Sequence, residues 1–335
     1  TGGEILVECL IKHSIDKVFC VPGESYLAAL DAFYDQKHNI SLINTKHEAS
    51  ASNMAEAYGK LTGKPGIAFV TRGPGACHAS IGVHISKQDS TPMILFIGQV
   101  STSSYGRESF QEINYVSMFS TETKWSHQIS SVEEIEKVIF KAFQISNTGR
   151  KGPVVIALPE DILLKKTFQK SLRISENKKE KVKKNKILAI KKILEFAKKP
   201  LVILGGSNWT KKSKKNIQTF AIKNNLPVVT SFRRQDLIDN RCKNFVGTLG
   251  TSVSPELLIS IKEADVIFAI GARLSDMSTN NYNIFNSIGK KTKLIHIYPD
   301  NTEINRVFSS QLSIEININQ FASQILEFSW FNERK

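Results

Sequence analysis

The sequence predicts an α/β protein built from two doubly wound, parallel-sheet domains. Short apolar, β-branched runs alternate with helix-forming stretches, and this alternation occurs twice along the 335 residues. Successive strand–helix–strand units build a parallel sheet covered on both faces. A lysine-rich stretch separates the two series. We therefore predict one domain at residues 1–164, a linker at 165–186 and a second domain at 187–330.

The first domain is predicted to contain two helices and five strands. A helix is predicted from Glu48 to Thr62, where alanines dominate and Gly63 and Pro65 stop the helix. A second helix is predicted to start near Gly75. The predicted strands are Lys17-Val21, Ser41-Thr45, Ile67-Thr71, Met93-Ile97 and Pro153-Leu158.

In the second domain, each predicted strand leads into a small or polar turn, and open parallel sheets bind ligands at such strand ends. The turn GGSNW after the first of these strands lacks the GxGxxG pattern, which argues against a nicotinamide-dependent dehydrogenase. The predicted strands are Leu201-Leu204, Pro227-Thr230, Val266-Ile270 and Lys293-Ile297.

Composition excludes several classes of protein. Residues 165–199 hold thirteen Lys and one Arg against three Glu, and therefore most of the +14 net charge. Because interleaved aromatic residues are lacking there, we interpret the run as a solvated linker and helix face and predict no nucleic-acid partner. No apolar run approaches the roughly eighteen residues of a membrane span, so no membrane partner is predicted. The four cysteines form no CxxC pair, which favours a reducing cytoplasm.

The most informative stretch is KHEASASNMAEAYGKLTGKPGIAFVTRGPGACH, at residues 46–78. It places Glu48 where a strand ends and a helix begins. The next strand leads into the rigid turn Arg72-Gly73-Pro74-Gly75, whose two glycines let a ligand approach the backbone closely. This turn precedes the free N–H groups of a helix N-terminus. Each piece alone also fits a capping Glu or an ordinary strand-to-helix turn.

Taken together, the two pieces closely resemble the pyrimidine-binding domain of thiamin-diphosphate-dependent enzymes, in particular the large subunit of acetolactate synthase. In that domain a His-Glu pair precedes an Ala-rich helix, and a Gly-Pro-Gly turn follows the next strand. The resemblance continues, in order, through FCVPGES at 19–25, STPMILFIGQV at 90–100, SFQEIN at 109–114 and KGPVVIALPEDIL at 151–163.

The resemblance implies a thiamin-diphosphate-dependent 2-oxo-acid decarboxylase and carboligase. The family's reaction decarboxylates pyruvate and transfers the two-carbon unit to a second 2-oxo acid, as in branched-chain amino acid biosynthesis. Glu48 is implied to hydrogen-bond N1′ of the cofactor's aminopyrimidine ring and so to activate the cofactor. Two alternatives stay open: another thiamin-diphosphate decarboxylase or acyl transferase, and a noncatalytic nucleotide-binding or regulatory subunit.

The resemblance also assigns roles to individual residues. The catalytic residues are Glu48 and Gln111, and the substrate residues are Phe110 and Gln111, with plain core packing as the alternative for Phe110. His47 is interpreted as a helix-start residue, and no residue is predicted to bind a metal. The cofactor-binding residues of the first domain are Pro22, Gly23, Glu48, Gly73, Pro74, Gly75 and His78, the last standing where the family commonly has Asn.

The second domain resembles the Rossmann-like central domain of the same family, which binds FAD in acetolactate synthases and ADP or nothing in some relatives. FAD is therefore one candidate cofactor. The GARLSD run at 271–276 departs from the Arg-Phe-Asp-Asp-Arg run that usually follows Gly-Ala in acetolactate synthases. The residues implied to contact the nucleotide are Gly205, Gly206, Gly271, Arg273 and Asp300.

The family holds Mg²⁺ and the diphosphate in a third, C-terminal domain marked by Gly-Asp-Gly and a later Asn. No Gly-Asp-Gly occurs in the sequence. We expect the diphosphate-binding domain to be absent from these residues, and the chain to be inactive unless the same polypeptide continues or another supplies that domain. The resemblance implies a homodimer or tetramer with an active site shared between subunits.

Overall fold

The computed structural model describes residues 1–168, 181–286, 288 and 291–327. The chain divides into two compact units, Thr1–Glu176 and Asn177–Lys335. The predicted linker at 165–186 lies in part outside the described residues. In each unit, six strands form one all-parallel sheet, which confirms the predicted α/β class.

The first unit starts with a helix whose N-terminus is capped by side chains. Thr1 caps the helix, and its side chain and the Glu4 side chain form a capping box. The strands are β1 (Lys17–Cys20), β2 (Ser41–Asn44), β3 (Gly66–Val70), β4 (Met93–Gln99), β5 (Trp125–Gln128) and β6 (Pro153–Pro159). The α-helices are α1 (Gly2–Lys12), α2 (Leu27–Asp35), α3 (Glu48–Thr62), α4 (Gly73–Asp89), α5 (Tyr115–Met118), α6 (Ile135–Asn147) and α7 (Glu160–Leu164).

The first sheet is covered on both faces, as predicted for a doubly wound domain. Its strand order is β2-β1-β3-β4-β6-β5. Successive residues of a strand point to opposite faces: Phe69 and Phe96 stack at 4.6 Å within the core that holds α1, α2 and α6. Their neighbours Val70 and Ile97 belong to the other core, with the alanines of α3 and α4.

The second unit has the strand order of a dinucleotide-binding fold. Numbered from its own first strand, the order β9-β8-β7-β10-β11-β12 reads 3-2-1-4-5-6. The strands are β7 (Pro200–Leu204), β8 (Val228–Thr230), β9 (Phe245–Thr248), β10 (Val266–Ile270), β11 (Lys293–Tyr298) and β12 (Leu312–Glu315). The α-helices are α8 (Lys184–Glu195), α9 (Lys211–Lys223), α10 (Pro255–Glu263), α11 (Asp276–Thr279) and α12 (Ile318–Gln324).

The structure corrects the predicted elements in two respects. All nine predicted strands are present, but β5, β9 and β12 were not predicted. Each of these three is an edge strand and is only partly buried, so it lacks the apolar run of a central strand. Helix α4 begins at Gly73, two residues before the predicted start. Within the described residues, no helix is long and apolar enough to cross a membrane.

Candidate functional site

The sequence-predicted residues of the first unit meet where the strand order reverses. Strand β1 pairs with β2 on one side and with β3 on the other, so the connections leave in opposite directions and open a crevice at the carboxyl ends of the strands. Gly23, after β1, lies directly against Thr71, after β3. A Cβ atom on Gly23 would lie 2.5 Å from Cβ of Thr71, so the fold leaves no room for a side chain there.

Glu48 is the first residue of α3, and the residue before it fixes the start of the helix. The His47 ring caps α3, since its Nδ1 accepts a hydrogen bond from N–H of Ala49 at 3.1 Å. This confirms the interpretation of His47 as a helix-start residue. Thr45 secures the preceding turn by donating from its hydroxyl to the carbonyls of Cys20 and His47. The Glu48 side chain, 13% exposed, is thereby held at the crevice.

The Gly73-Pro74-Gly75 turn lies beside this carboxylate. Pro74 stands in the first turn of α4, where its missing N–H costs nothing. A Cβ atom on Gly75 would lie 3.6 Å from Oε1 of Glu48, so any larger side chain would cover the carboxylate. The glycine therefore keeps this face of Glu48 accessible.

His78 follows Gly75 by one helical turn and holds the other carboxylate oxygen. Its Nδ1 lies 2.9 Å from Oε2 of Glu48, and its ring stacks on that of His47 with 4.6 Å between centroids. An ionised carboxylate only accepts hydrogen bonds, so the His78 ring donates through Nδ1. No other described residue hydrogen-bonds the Glu48 side chain. Oε1 is consequently available to a ligand.

Phe110 and Gln111 lie in the long loop after β4, which returns to the same turn. The carbonyl of Gln111 accepts a hydrogen bond from N–H of Gly73 at 3.0 Å. Gln111 adopts a left-handed backbone conformation, with φ of 62°. The Phe110 side chain is 77% exposed, which rules out core packing for this residue.

Two further polar groups near this turn were assigned no role from the sequence. Arg72 caps α4 and pairs with Glu160 at 2.6 Å, which ties the end of β3 to the end of β6. Its Nε atom is buried and has no hydrogen-bond partner among the described residues. The buried Tyr115 hydroxyl likewise lacks a partner, and burial raises the pKa of Tyr115. Arg72 precedes the Gly-Pro-Gly turn, but its pairing with Glu160 and the burial of Tyr115 depend on packing that sequence spacing does not reveal.

In the second unit, the predicted glycines also gather where the strand order reverses, between β7 and β10. Gly206 and Gly271 have φ of 74° and 71°, and a Cβ atom on either would lie 2.4 to 2.6 Å from a carbonyl oxygen of the opposite turn. Trp209 donates from its indole N–H to the carbonyl of Gly205. These glycines therefore let two strand ends pack backbone to backbone.

The two charged residues predicted for the nucleotide are already engaged within the chain. Arg273 contacts Glu303, whose side chain is only 6% exposed, with Nε 3.4 Å from Oε2. Asp300 accepts hydrogen bonds from the backbone N–H and the hydroxyl of Thr302. Both residues lie in turns that follow strands, β10 for Arg273 and β11 for Asp300.

Two family models match the chain in order. Residues 1–118 match "Thiamine pyrophosphate enzyme, N-terminal TPP binding domain", and residues 187–325 match the central domain of the same enzymes. Thiamine pyrophosphate is another name for thiamin diphosphate.

Several curated relatives are similar over most of the chain. The acetolactate synthase large subunit of Buchnera aphidicola subsp. Schizaphis graminum is 33% identical over 98% of this chain and 58% of its own length. Acetolactate synthase isozyme 3 large subunit of Escherichia coli is 33% identical over 98% of this chain and 57% of its own length. The mitochondrial acetolactate synthase of Schizosaccharomyces pombe is 33% identical over 85% of this chain and 44% of its own length. The chain thus spans about half the length of these relatives.

Proposed function

The chain belongs to the thiamine pyrophosphate enzyme family, and from that premise we propose that it supplies the pyrimidine-binding and central domains of an acetolactate-synthase-type enzyme. The proposed reaction decarboxylates pyruvate and transfers the two-carbon unit to a second 2-oxo acid. Relatives named acetolactate synthase support this choice. The observation that carries it is the Glu48 carboxylate, held by His78 through Oε2 with Oε1 available.

The residues at the crevice fit the aminopyrimidine half of thiamin diphosphate. A ring nitrogen needs one hydrogen-bonding oxygen, and Oε1 of Glu48 has no protein partner among the described residues. A flat ring also needs a wall without side chains, and Gly75 leaves that face of the carboxylate uncovered. When bound, the cofactor supplies the electron sink for decarboxylation of a 2-oxo acid.

The residues at the crevice then have the following roles. Glu48 holds or releases a proton at the ring nitrogen through Oε1, which has no protein partner among the described residues. His78 fixes the carboxylate's orientation by donating to Oε2. Pro74 stiffens the turn that positions Gly75. Phe110 and the amide of Gln111 lie in the loop tied to that turn, where they can contact the substrate.

For the second unit we propose FAD as the ligand, bound where the strand order reverses. The dinucleotide-type strand order and the tight turns at Gly205, Gly206 and Gly271 support this site. Arg273 and Asp300, engaged with Glu303 and Thr302, lie in neighbouring turns. Co-purification of the flavin, detected by its visible absorption, tests this FAD site. A protein that purifies with ADP or with no nucleotide would contradict the FAD proposal.

The remaining parts of the proposal concern Mg²⁺, assembly and location. We propose that a further domain, on the same polypeptide or on another, holds Mg²⁺ and the diphosphate, and that a homodimer or tetramer forms the complete site. The two units alone are then inactive. A cytoplasmic location stays a prediction from the free cysteines.

Replacing Glu48 by Gln in the complete assembly tests the proposed function. The assay combines this chain with a diphosphate-binding domain, on a longer form of the polypeptide or on a separate one, and measures acetolactate formed from pyruvate. Because an amide cannot exchange the proton, we expect the Glu48→Gln rate to fall by about 100-fold or more.

Glu122→Gln is the matched control. Glu122 also pairs with a histidine, since its Oε2 lies 3.0 Å from Nδ1 of His84. The Glu122→Gln assembly should keep full activity. A Glu48→Gln assembly that retains activity would overturn the assignment. If the parent assembly shows no turnover and Glu48→Gln leaves nucleotide affinity unaltered, the noncatalytic alternative would be favoured.

A further inference from the structure

His47, Glu48 and His78 form a cluster of potential metal ligands. Each offers one ligand atom, and the three atoms lie within 4.8 Å of one another. No other group of three or more His, Cys, Asp or Glu residues in the described part of the chain meets this condition. Both imidazoles are exposed to solvent, so an ion can reach them and the rings can adjust.

We propose that this cluster binds a divalent transition-metal ion, best fitted by Zn²⁺, through two imidazoles and one carboxylate oxygen. Zn²⁺ takes imidazole nitrogen and carboxylate oxygen at about 2.0–2.2 Å, which separates neighbouring ligands in a tetrahedron by about 3.3 Å. Nδ1 of His78 and Oε2 of Glu48 are already 2.9 Å apart. Imidazole ligands also favour Zn²⁺ over Mg²⁺ or Ca²⁺.

The protons on the two rings must move for the metal to bind. The ion takes the place of the hydrogen between His78 and Glu48, and the His78 proton moves to Nε2. The neutral His47 ring has one lone pair, which now accepts from Ala49 N–H. If His47 binds the metal through Nε2, its proton moves to Nδ1, which can then no longer accept from Ala49 N–H. Metal binding therefore breaks this helix cap.

The metal would bind Oε2 of the carboxylate whose Oε1 we assign to the cofactor. Zn²⁺ on Oε2 would draw electron density from the carboxylate and so weaken the hydrogen bond that Oε1 offers the aminopyrimidine ring, and this consequence rests on the proposed function. Metal binding itself does not. The site also departs from the sequence-based prediction of no metal ligand, because His78 is 30 residues from Glu48 and only the fold brings them together.

Titration of the full 335-residue chain with Zn²⁺ alone, by calorimetry, tests the proposal. All variants carry Cys77→Ser, because Cys77 is an exposed thiol beside His78. His78→Asn removes one ligand. His47→Ser removes another and preserves the helix cap, since Ser is a good N-cap residue. We expect one bound ion in the parent and about tenfold or greater weakening in each variant.

His84→Asn is the matched control. His84 lies on the same helix and pairs with Glu122 at 3.0 Å, but belongs to no three-ligand group among the described residues. Its replacement should leave Zn²⁺ affinity unchanged. The proposal is overturned if the parent binds no ion, or if His84→Asn weakens binding as much as His78→Asn. Because no cofactor is present, neither result bears on the Glu48→Gln test.

Discussion

At the scale of single residues, burial sets the charge of His13. Its ring stacks on Phe143 with centroids 3.9 Å apart and meets the edge of Phe140. The Nε2 atom is buried and has no hydrogen-bond partner among the described residues. Burial, with the neighbouring Lys12 charge, lowers the pKa of His13 to about 4. The imidazole is therefore neutral in the folded state at physiological pH.

We expect His13 to make the first unit less stable in mild acid. The unfolded chain takes up a proton near pH 6.5, whereas the folded chain takes it up only near pH 4. The free energy of unfolding should consequently fall as the pH falls through this window. Chemical denaturation of the parent and of His13→Phe between about pH 7 and pH 4 measures the difference.

His13→Phe keeps the stacked ring and removes the titrating group, so its stability should depend less on pH than the parent's. Replacing the exposed His38 by Asn serves as the control and should leave the parent's slope unchanged. Equal slopes for the parent and His13→Phe would contradict the role of His13.

The residues of the candidate site could be predicted from the sequence only where they follow one another along the chain. His47, Glu48 and the Gly-Pro-Gly turn form local motifs at strand ends, so their positions could be anticipated. The pairing of His78 with Glu48 depends on how α4 packs beside α3, and no spacing rule encodes it. The pairing of Arg72 with Glu160 and the burial of the Tyr115 hydroxyl were missed for the same reason.

At the scale of elements, the central strands were predictable, whereas of the four edge strands only β2 was predicted. Strands β3, β4 and β6 are wholly buried and form continuous apolar runs in the sequence. The edge strand β5 has four partly buried residues, among them Trp125 and His127, and pairs on one side only. Burial on both faces produces the apolar run by which a strand is identified from sequence.

The turns after β7 and β10 should be sensitive to a single methyl group. Gly206→Ala forces a residue with a side chain to φ of 74° and brings Cβ to 2.4 Å from the carbonyl oxygen of Gly271. The conformation costs about 1–2 kcal/mol, and overpacking adds about 1–3 kcal/mol. We expect a clear loss in the free energy of unfolding of the second unit, measured by urea denaturation.

Gly106→Ala separates the two contributions. Gly106 has φ of 81°, but a Cβ atom there would meet nothing within 4 Å. Its replacement should cost only the conformational part, about 1–2 kcal/mol. If Gly206→Ala costs no more than Gly106→Ala, the close packing of the two turns is not important for stability.

At the scale of the whole molecule, each unit has its own cores. The two clusters of the first unit draw only on residues up to Leu163, and the buried residues of the second unit's clusters begin at Ile187. We therefore expect residues 1–168 to fold without the second unit. Circular dichroism of that fragment should show one cooperative thermal transition. A gradual loss of signal would mean that the first unit needs the rest of the chain.

The proposed function depends above all on the activation of thiamin diphosphate by Glu48. The most direct test follows the exchange of the C2 proton of the bound cofactor for solvent deuterium, by quenched-flow NMR, in the complete assembly. We expect Glu48→Gln to slow this exchange by about 100-fold or more and Glu122→Gln to leave it unchanged. Equal exchange rates in the parent and Glu48→Gln assemblies would contradict this role of Glu48.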